Sequence, residues 1–306
     1  MAAMNYGGDD ALKRELQSRV DRFDTDQWHR SNEQSPGYPL RQESLVSETR
    51  LHNPYAGVPY AWQLTERLDD FLTRLPPATT EQGENVPWIY ICNPYIPRLG
   101  RRPESSSVQA NEDEAPAEEG GQLELVVRGG EERLQLVSNL RDKMRRAEES
   151  EPAIEKEMRK ERKQAVRDIL TLAHAAKVRT GKWMLFCSQS EVNEIWELVA
   201  KATANNELGI AAKVAPRSPM HDQRRDRLLC VYTADFRNKA DVGRVLRRLR
   251  ELKLVETRSR RIYYKPDVFT YIGISHGNPW GLNASIYTSK DEFDSDAMDW
   301  EASQRE

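Results

Sequence analysis

The stretch TGKWMLF, residues 180 to 186, places a lysine beside a tryptophan at the start of an apolar run. A lysine ammonium can hold a phosphate, and an indole ring can either stack on a base or fill a hydrophobic core. Because apolar residues follow directly, we interpret Trp183 as a core residue. Lys182 is then the residue of this stretch that could bind an anionic ligand.

Further cations occur at the predicted ends of strands and in loops, where phosphate contacts are commonly made. Together with Lys182, the predicted phosphate- or RNA-binding residues are Lys213, Arg217, Arg225 and Lys265. Aromatic rings near strand ends or in loops could stack on a base. The predicted stacking residues are Tyr95, Tyr271 and Trp280. Since most exposed lysines and arginines only keep a protein in solution, each of these residues is a candidate.

The sequence offers little for catalysis. It contains no GxxxxGK[ST] phosphate loop, no GxGxxG or HExxH motif and no paired cysteine motif. His276 lies in the loop SHGNPWG, residues 275 to 281, and could act as a general base, but the sequence identifies no partner for it. We therefore expect a protein that is not an enzyme and that needs no cofactor or metal.

The cysteines and the apolar runs bear on where the protein works. Cys92, Cys187 and Cys230 each lie in an apolar, strand-like run and are interpreted as reduced core residues of an intracellular protein. The N-terminus shows no apolar signal segment, and no apolar run approaches the roughly 20 residues of a membrane span. We expect a soluble protein of the cytoplasm, with the nucleus as a second location and no membrane partner.

Charge is segregated along the chain although the formal net charge is only −3. Residues 217 to 265 contain 15 Lys or Arg against 6 Asp or Glu, whereas residues 104 to 124 contain 7 acids and no base. Such segregation is typical of a basic binding face with acidic tails, although a solvated face explains most charge runs. An acidic protein partner is therefore an alternative to RNA or a nucleotide.

Only part of the chain is expected to fold, because 38% hydrophobic residues is low for 306 residues that are compact throughout. Residues 1 to 50 and the acidic tail 289 to 306 are predicted to be mostly disordered. Between them, residues 51 to 288 are predicted to form a single α+β domain. The low-complexity residues 98 to 121 are predicted to be a mobile, acidic insertion in this domain.

Periodic patterns predict the elements of the first half of this domain. The apolar spacing from Tyr60 to Leu75 predicts an amphipathic helix, and the run at 86 to 94 predicts a strand covered on both faces. LELVVRG at 123 to 129 predicts a strand, and residues 131 to 178 predict a charged helical stretch.

The second half is predicted to run strand, helix, strand, strand, helix, strand. The strands are expected at 182 to 187, 208 to 214, 227 to 235 and 262 to 274. Ser188 and Glu191 have capping-box spacing before the first helix, and Asn238 is expected to cap the second, with Asp241 at its third position. These elements predict the α+β class, with a curved, largely antiparallel sheet and helices on one face, which leaves the other face open.

Several of these segments resemble known families. From Gly181 to His276 the chain resembles the second half of the cap-binding translation initiation factor: GKWMLF is similar to that family's GRW strand, and VNEIWELVAKAT is similar to the helix after it. From about Tyr60 to Tyr287 the chain resembles more closely the basophilic-leukaemia-expressed protein family, which is poorly characterised and similar in fold to that factor. The segments that carry this resemblance are WIYICNP, GKW, YTADF, YYKPDVFTYIGI and NPWG.

The resemblance to the initiation factor implies phosphate binding without cap recognition. Lys182 matches a phosphate-holding basic residue, and Ala215 stands where the factor has a phosphate-binding arginine, for which Lys213 could substitute. The two tryptophans that sandwich the methylated guanine and the glutamate that reads it have no match. Only Tyr95 lies near the first tryptophan position, and ILTLAHAAKVRT has neither an aromatic residue nor an acid at the second.

Together these patterns lead to three hypotheses. The first is a non-catalytic RNA- or nucleotide-phosphate-binding protein that lacks the cap-specific tryptophan sandwich. The alternative is a protein-interaction scaffold whose basic helix, residues 239 to 253, meets an acidic partner or the chain's own acidic residues 104 to 119. The third is an enzyme that uses the loop 275 to 281.

Overall fold

The computed structural model of the chain describes residues 51–100, 114–218, 226–255, 261–291 and 293. These residues belong to the compact unit Thr49–Glu306. The predicted disordered segment 1 to 50, most of the acidic tail and residues 101 to 113 of the predicted insertion lie outside the described residues.

The strands of the described chain form one open, antiparallel sheet. They are β1 (Ile89–Cys92), β2 (Gly181–Cys187), β3 (Ala211–Val214), β4 (Arg227–Thr233), β5 (Tyr263–Pro266) and β6 (Tyr287–Thr288). Their order across the sheet is β1-β3-β4-β2-β5-β6, and each neighbouring pair is antiparallel. The central strands β4 and β2 therefore lie beside each other although a helix and β3 separate them in sequence.

Helices accompany this sheet and complete the predicted α+β fold. They are α1 (Leu68–Arg74), α2 (Leu123–Arg146), α3 (Glu151–Ala175), α4 (Val192–Ala204), α5 (Lys239–Glu251) and α6 (Asp267–Tyr271). From β2 to β5 the elements run in the predicted order of strand, helix, strand, strand, helix and strand. As predicted, the side chain of Asn238 caps α5 and accepts a hydrogen bond from the Asp241 N–H at 3.1 Å. None of the described helices is long and apolar enough to cross a lipid bilayer.

The larger hydrophobic core lies between one face of the sheet and the helices. Trp183 and Leu185 of β2 point into it together with Val231 of β4, because alternate residues of a strand share a face. Trp183 is fully buried, and its indole Nε1 donates a hydrogen bond to the carbonyl of Val242 on α5 at 3.1 Å. The interpretation of Trp183 as a packing residue is confirmed.

The opposite face of the sheet is covered by the protein's own chain. A second, smaller core on this face contains Tyr90, Cys230 and Tyr232 from the sheet, with Tyr55 and Ala61 from the segment before α1. The expectation that this face is open is therefore wrong. The strand prediction for residues 86 to 94 is confirmed, since all of β1 is buried.

Two predictions in the first half differ from the structure. Residues 123 to 129 begin α2 and do not form a strand, because Val126, Gly130 and Leu134 are buried at helical spacing. The predicted helix from residue 60 is confined to Leu68–Arg74, since the preceding residues lie along β1, where the Trp62 N–H donates to the Tyr90 carbonyl at 3.0 Å.

Other boundaries are also corrected. The helical stretch 131 to 178 is two helices, α2 and α3, which separate near Glu148 at a φ of 55°. The predicted strand 262 to 274 ends at Pro266, where α6 begins. Helix α4 begins at Val192 without a side-chain cap, because the Ser188 hydroxyl donates to the Glu191 carboxylate and does not cap a backbone N–H.

Candidate anion-binding site

The register of three adjacent strands gathers lysines on the face of the sheet that is opposite the larger core. Lys182 of β2 lies opposite Tyr232 of β4 on one side and opposite Lys265 of β5 on the other. Lys213 of β3 is paired with Cys230 of β4 and is therefore diagonal to Tyr232 on the same face. Sheet pairing alone thus brings Lys182 and Lys213 beside the Tyr232 phenol, with Lys265 next to Lys182.

A carboxylate from the acidic segment, residues 104 to 119, lies between two of these lysines. The Lys182 ammonium forms an ion pair with Oε2 of Glu114, and Nζ of Lys213 lies 3.4 Å from Oε1 of the same carboxylate. The Tyr232 hydroxyl donates a hydrogen bond to Glu114 Oε2 at 2.6 Å. Glu114, Lys182 and Lys213 are only 8%, 3% and 2% exposed. Two ammonium groups and a phenol therefore hold this carboxylate away from water.

A second carboxylate contacts Lys182 from α6. Oδ1 of the fully buried Asp267 lies 3.0 Å from Lys182 Nζ, and its Oδ2 accepts a hydrogen bond from the Thr180 hydroxyl at 2.6 Å. Lys182 also donates to the hydroxyl of Thr270 at 3.1 Å. Lys182 therefore links the acidic segment to α6, and Asp267 and Thr270 fix the position of its ammonium group.

Aromatic rings pack on the same ammonium groups. Nζ of Lys213 lies 4.0 Å from the centroid of the Trp88 ring. The Tyr232 ring centroid is 5.6 Å from Nζ of Lys182 and 5.9 Å from Nζ of Lys213. These distances are in the range of cation–π contacts. Trp88 therefore packs over Lys213 and separates it from solvent.

The residues described so far form the lysine cluster, which consists of Lys182, Lys213, Tyr232, Glu114, Asp267 and Trp88. Burial and neighbouring charges shift the pKa values in and around this cluster in different directions. Burial opposes the charge of Lys182, but Asp267 and Glu114 together raise its pKa above the ordinary value. Burial also opposes the charge of Glu114, whose pKa is nevertheless held below its ordinary value by Lys182 and Lys213. The pKa of Asp267 is raised by burial. The pKa of Lys265 is lowered to about 8, first by burial and then by Lys182.

The remaining predicted cations lie at the edge of this cluster or away from it. Lys265 is the nearest, since it lies opposite Lys182 and is partly buried. Arg217 is exposed, and its backbone N–H donates to the Thr80 carbonyl at 2.7 Å. It lies close enough to Arg227 to lower the pKa of that residue, after the effect of burial. Arg225 lies outside the described residues.

The predicted stacking residues lie in different parts of the structure. Tyr271 on α6 is beside the cluster, since burial, then Asp267 and Glu114, raise its pKa well above the ordinary value. Tyr95 follows β1 and is 49% exposed. Trp280 packs against the cores that α2 and α3 help to form. Among the described contacts, neither Tyr95 nor Trp280 touches the lysines.

The arginines of the basic helix α5 are largely engaged within the molecule. Arg244 pairs with Asp241, and its guanidinium also donates to the carbonyl of Leu208 at 2.9 Å. Arg248 forms ion pairs with Glu207 and Glu251. In the described part of the acidic segment, Glu114 meets the lysines of the sheet and not this helix.

Four residues of the cluster were not predicted from the sequence: Trp88, Glu114, Tyr232 and Asp267. A signal existed for Tyr232, because alternation along a strand paired with Lys182 places it on the same face. The contacts of Glu114 and Asp267 with Lys182 join residues that are 68 and more apart in sequence, and no local pattern indicates them.

The structure also places the three cysteines and the side chains that could bind a metal ion. Cys92, Cys187 and Cys230 are free and buried, and burial raises their pKa values to about 12, 12 and 11. Their interpretation as core residues is confirmed, since Cys187 lies in the larger core and Cys92 and Cys230 lie in the smaller one. Within the described ranges, no group of three or more His, Cys, Asp or Glu side chains could hold a metal ion. His276 is exposed there in its loop.

One protein-family model matches a range of the chain that includes all residues of the lysine cluster. The model of the family described as Basophilic leukemia-expressed protein Bles03 matches residues 16–273 of the chain. That range includes Glu114, Lys213 and the segments GKW, YTADF and YYKPDVFTYIG, which supply Lys182, Tyr232, Lys265 and Asp267. The match extends over most of the 306 residues. The chain therefore belongs to the Bles03 family of basophilic leukemia-expressed proteins.

Proposed function

We propose that this protein is a non-catalytic, cytoplasmic binding protein for RNA or a nucleotide, and that Lys182 and Lys213 form its phosphate site. The observation that carries the proposal is the convergence of both ammonium groups on the single carboxylate of Glu114. A phosphate offers the same kind of charged oxygen acceptors as a carboxylate and makes similarly strong charge-assisted hydrogen bonds. Glu114 therefore occupies the position that we assign to a phosphate of the ligand.

The charges of the cluster favour an anionic ligand over a purely structural ion-pair network. Three lysines face two carboxylates, and Lys265 keeps its charge only against burial and the repulsion of Lys182. The terminal phosphate of a nucleotide can carry two negative charges, so its binding would stabilise the charged form of Lys265 as well as replace Glu114. A network with only a structural role could be replaced by apolar residues without loss of stability.

The proposed ligand is not the methylated cap. Among the described residues around the lysines, the partly buried rings of Trp88 and Tyr271 do not provide the pair of tryptophans and the following glutamate that recognise methylated guanine in the initiation factor. Lysine contacts to phosphate carry no direct sequence information. We therefore expect weak base preference and strong dependence of affinity on salt concentration.

The proposal is tested by fluorescence anisotropy with a labelled single-stranded hexauridylate at about 50 mM and about 200 mM salt. Glu114→Gln should bind more tightly than the wild type, because it removes the competing charge. Adding Lys213→Met to Glu114→Gln should abolish the gain. Glu119→Gln is the matched control, since it removes an exposed acid of the same segment and should leave the affinity unchanged.

Two results would contradict the proposal. One is an affinity that does not fall with rising salt. The other is an equal affinity of the wild type and Glu114→Gln while thermal unfolding shows both to be folded. Loss of binding in the Lys213 variant counts only if its unfolding temperature stays well above that of the assay.

A further inference from the structure

The residues that follow Glu114 lead from the lysine cluster to a second group of cations. We call residues 114 to 118 the strap. Pro116 of the strap is buried, and the Ala117 carbonyl accepts a hydrogen bond from the Leu99 N–H at 3.1 Å. At its far end, Oε1 of Glu118 lies 3.4 Å from Nη1 of Arg179. Four residues of extended chain span at most about 13 Å, which limits the separation of the two glutamates.

The second group consists of three arginines near the start of β2 and the end of β4: Arg98, Arg179 and Arg237. Nε of Arg179 donates to the His174 carbonyl at 3.0 Å, and Nε2 of His174 lies 3.0 Å from Oδ2 of Asp235. Nη1 of Arg98 is buried and has no hydrogen-bond partner among the described residues. This guanidinium is therefore not fully satisfied while the strap is in place.

The charges of this second group resemble those of the first. Burial lowers the pKa of Arg98, Arg179 lowers it further, and Glu118 and Asp235 act against that shift. Arg179 also contributes to lowering the pKa of Arg237, for which burial is the main cause. Three guanidinium groups thus lie near the two carboxylates Glu118 and Asp235, just as three lysines lie near Glu114 and Asp267. The strap places one of its own glutamates in each group.

We propose that the ligand is an extended single strand of nucleic acid whose successive phosphates follow the path of the strap, from Lys213 and Lys182 to Arg179 and Arg98. This inference rests on the proposed function and adds the length of the ligand and a second phosphate contact. The strap is then an internal mimic of that strand, with Glu114 and Glu118 at two phosphate positions. One peptide segment fills this path, so one strand replaces it.

The experiment compares uridine monophosphate with hexauridylate, both labelled, in the Glu114→Gln background. The hexamer should bind at least about tenfold more tightly, since it reaches both groups of cations. Adding Arg179→Met should weaken hexamer binding several-fold and reduce the slope of log affinity against log salt by about 1. It should leave the affinity for the monophosphate unchanged. Arg247→Met on the exposed side of α5 is the matched control for loss of one charge.

The outcomes separate this inference from the proposed function. If Arg179→Met leaves hexamer binding unchanged while Lys213→Met weakens it, the path is wrong and the phosphate site stands. If neither nucleotide binds, both proposals fail. If hexaglutamate binds as tightly as hexauridylate, the site fits an acidic peptide and the inference is overturned. Arg179→Lys keeps the charge and should retain most of the hexamer affinity, which shows that the methionine variant acts through charge and not through misfolding.

Discussion

Each residue of the GKW motif serves a different part of the structure. Lys182 and Trp183 are neighbours in sequence but lie on opposite faces of β2, so the lysine joins the ion-pair cluster while the tryptophan fills the larger core. Gly181 is required for space: a Cβ at this position would lie 2.5 Å from the hydroxyl oxygen of Tyr264. That hydroxyl is hydrogen-bonded to the Thr233 hydroxyl at 2.6 Å.

We expect Gly181→Ala to destabilise the protein by about 1 to 3 kcal/mol, because the added methyl group forces the buried Tyr264 ring to move. The free energy of unfolding in urea measures the effect. Gly83→Ala is the control, since a Cβ there meets no atom within 4 Å. Equal stability of the two variants would contradict this interpretation of the glycine.

Lys265 should make stability depend on pH in the alkaline range. Its pKa in the folded protein is lowered to about 8 from an ordinary value of 10.5, so between these values the unfolded chain binds a proton that the folded protein does not. Stability should therefore rise with pH from about 8 to about 10.5 through this residue. The difference in unfolding free energy between wild type and Lys265→Met should change in the wild type's favour across this window. A difference that is constant with pH would contradict the lowered pKa.

At the scale of elements, some features follow from local pattern and others do not. The strands β2 and β4 and the helix α5 were predictable, because their apolar alternation, apolar stripe and Asn238 cap are local signals. The strand predicted at 123 to 129 was wrong because its valines favour a strand locally, whereas packing of Val126 against the core selects a helix. The strap was predicted to be mobile from its composition, yet Glu114 is buried by lysines that are distant in sequence.

The hairpin of α2 and α3 depends on a cross-helix charge pair that the sequence did not reveal. Arg133 of α2 donates to Glu161 at 2.6 Å and to Asp168 at 2.7 Å on α3. We expect Arg133→Met to lower the free energy of unfolding by about 1 to 2 kcal/mol, because two carboxylates lose their charged partner. Lys160→Met, which breaks an exposed pair with Glu157, should cost less than about 0.5 kcal/mol. Equal losses of unfolding free energy in the two variants, measured by thermal or urea unfolding, would contradict a stabilising role of Arg133 in the hairpin.

At the scale of the whole molecule, the segregated charges of the sequence meet each other inside the fold. One version of the scaffold hypothesis has the acidic segment meet the basic helix, but in its described part Glu114 lies among lysines of the sheet and Glu118 lies beside Arg179. The covering of these lysines by the chain's own carboxylates reconciles a net charge of −3 with a local excess of cations. Binding of a polyanion then has to displace a segment that is already held by charge.

Displacement of the strap can be measured directly by hydrogen–deuterium exchange of the wild-type protein with and without saturating hexauridylate. If a nucleic acid strand takes the place of Glu114, peptides that contain Leu99, whose N–H donates to the Ala117 carbonyl of the strap, should exchange faster in the complex, while peptides from β2 and β4 should be unchanged or slower. Unchanged or slower exchange at Leu99 at saturation would show that the strap stays in place. That result would contradict the claim that Lys182 and Lys213 bind phosphate where the structure has Glu114.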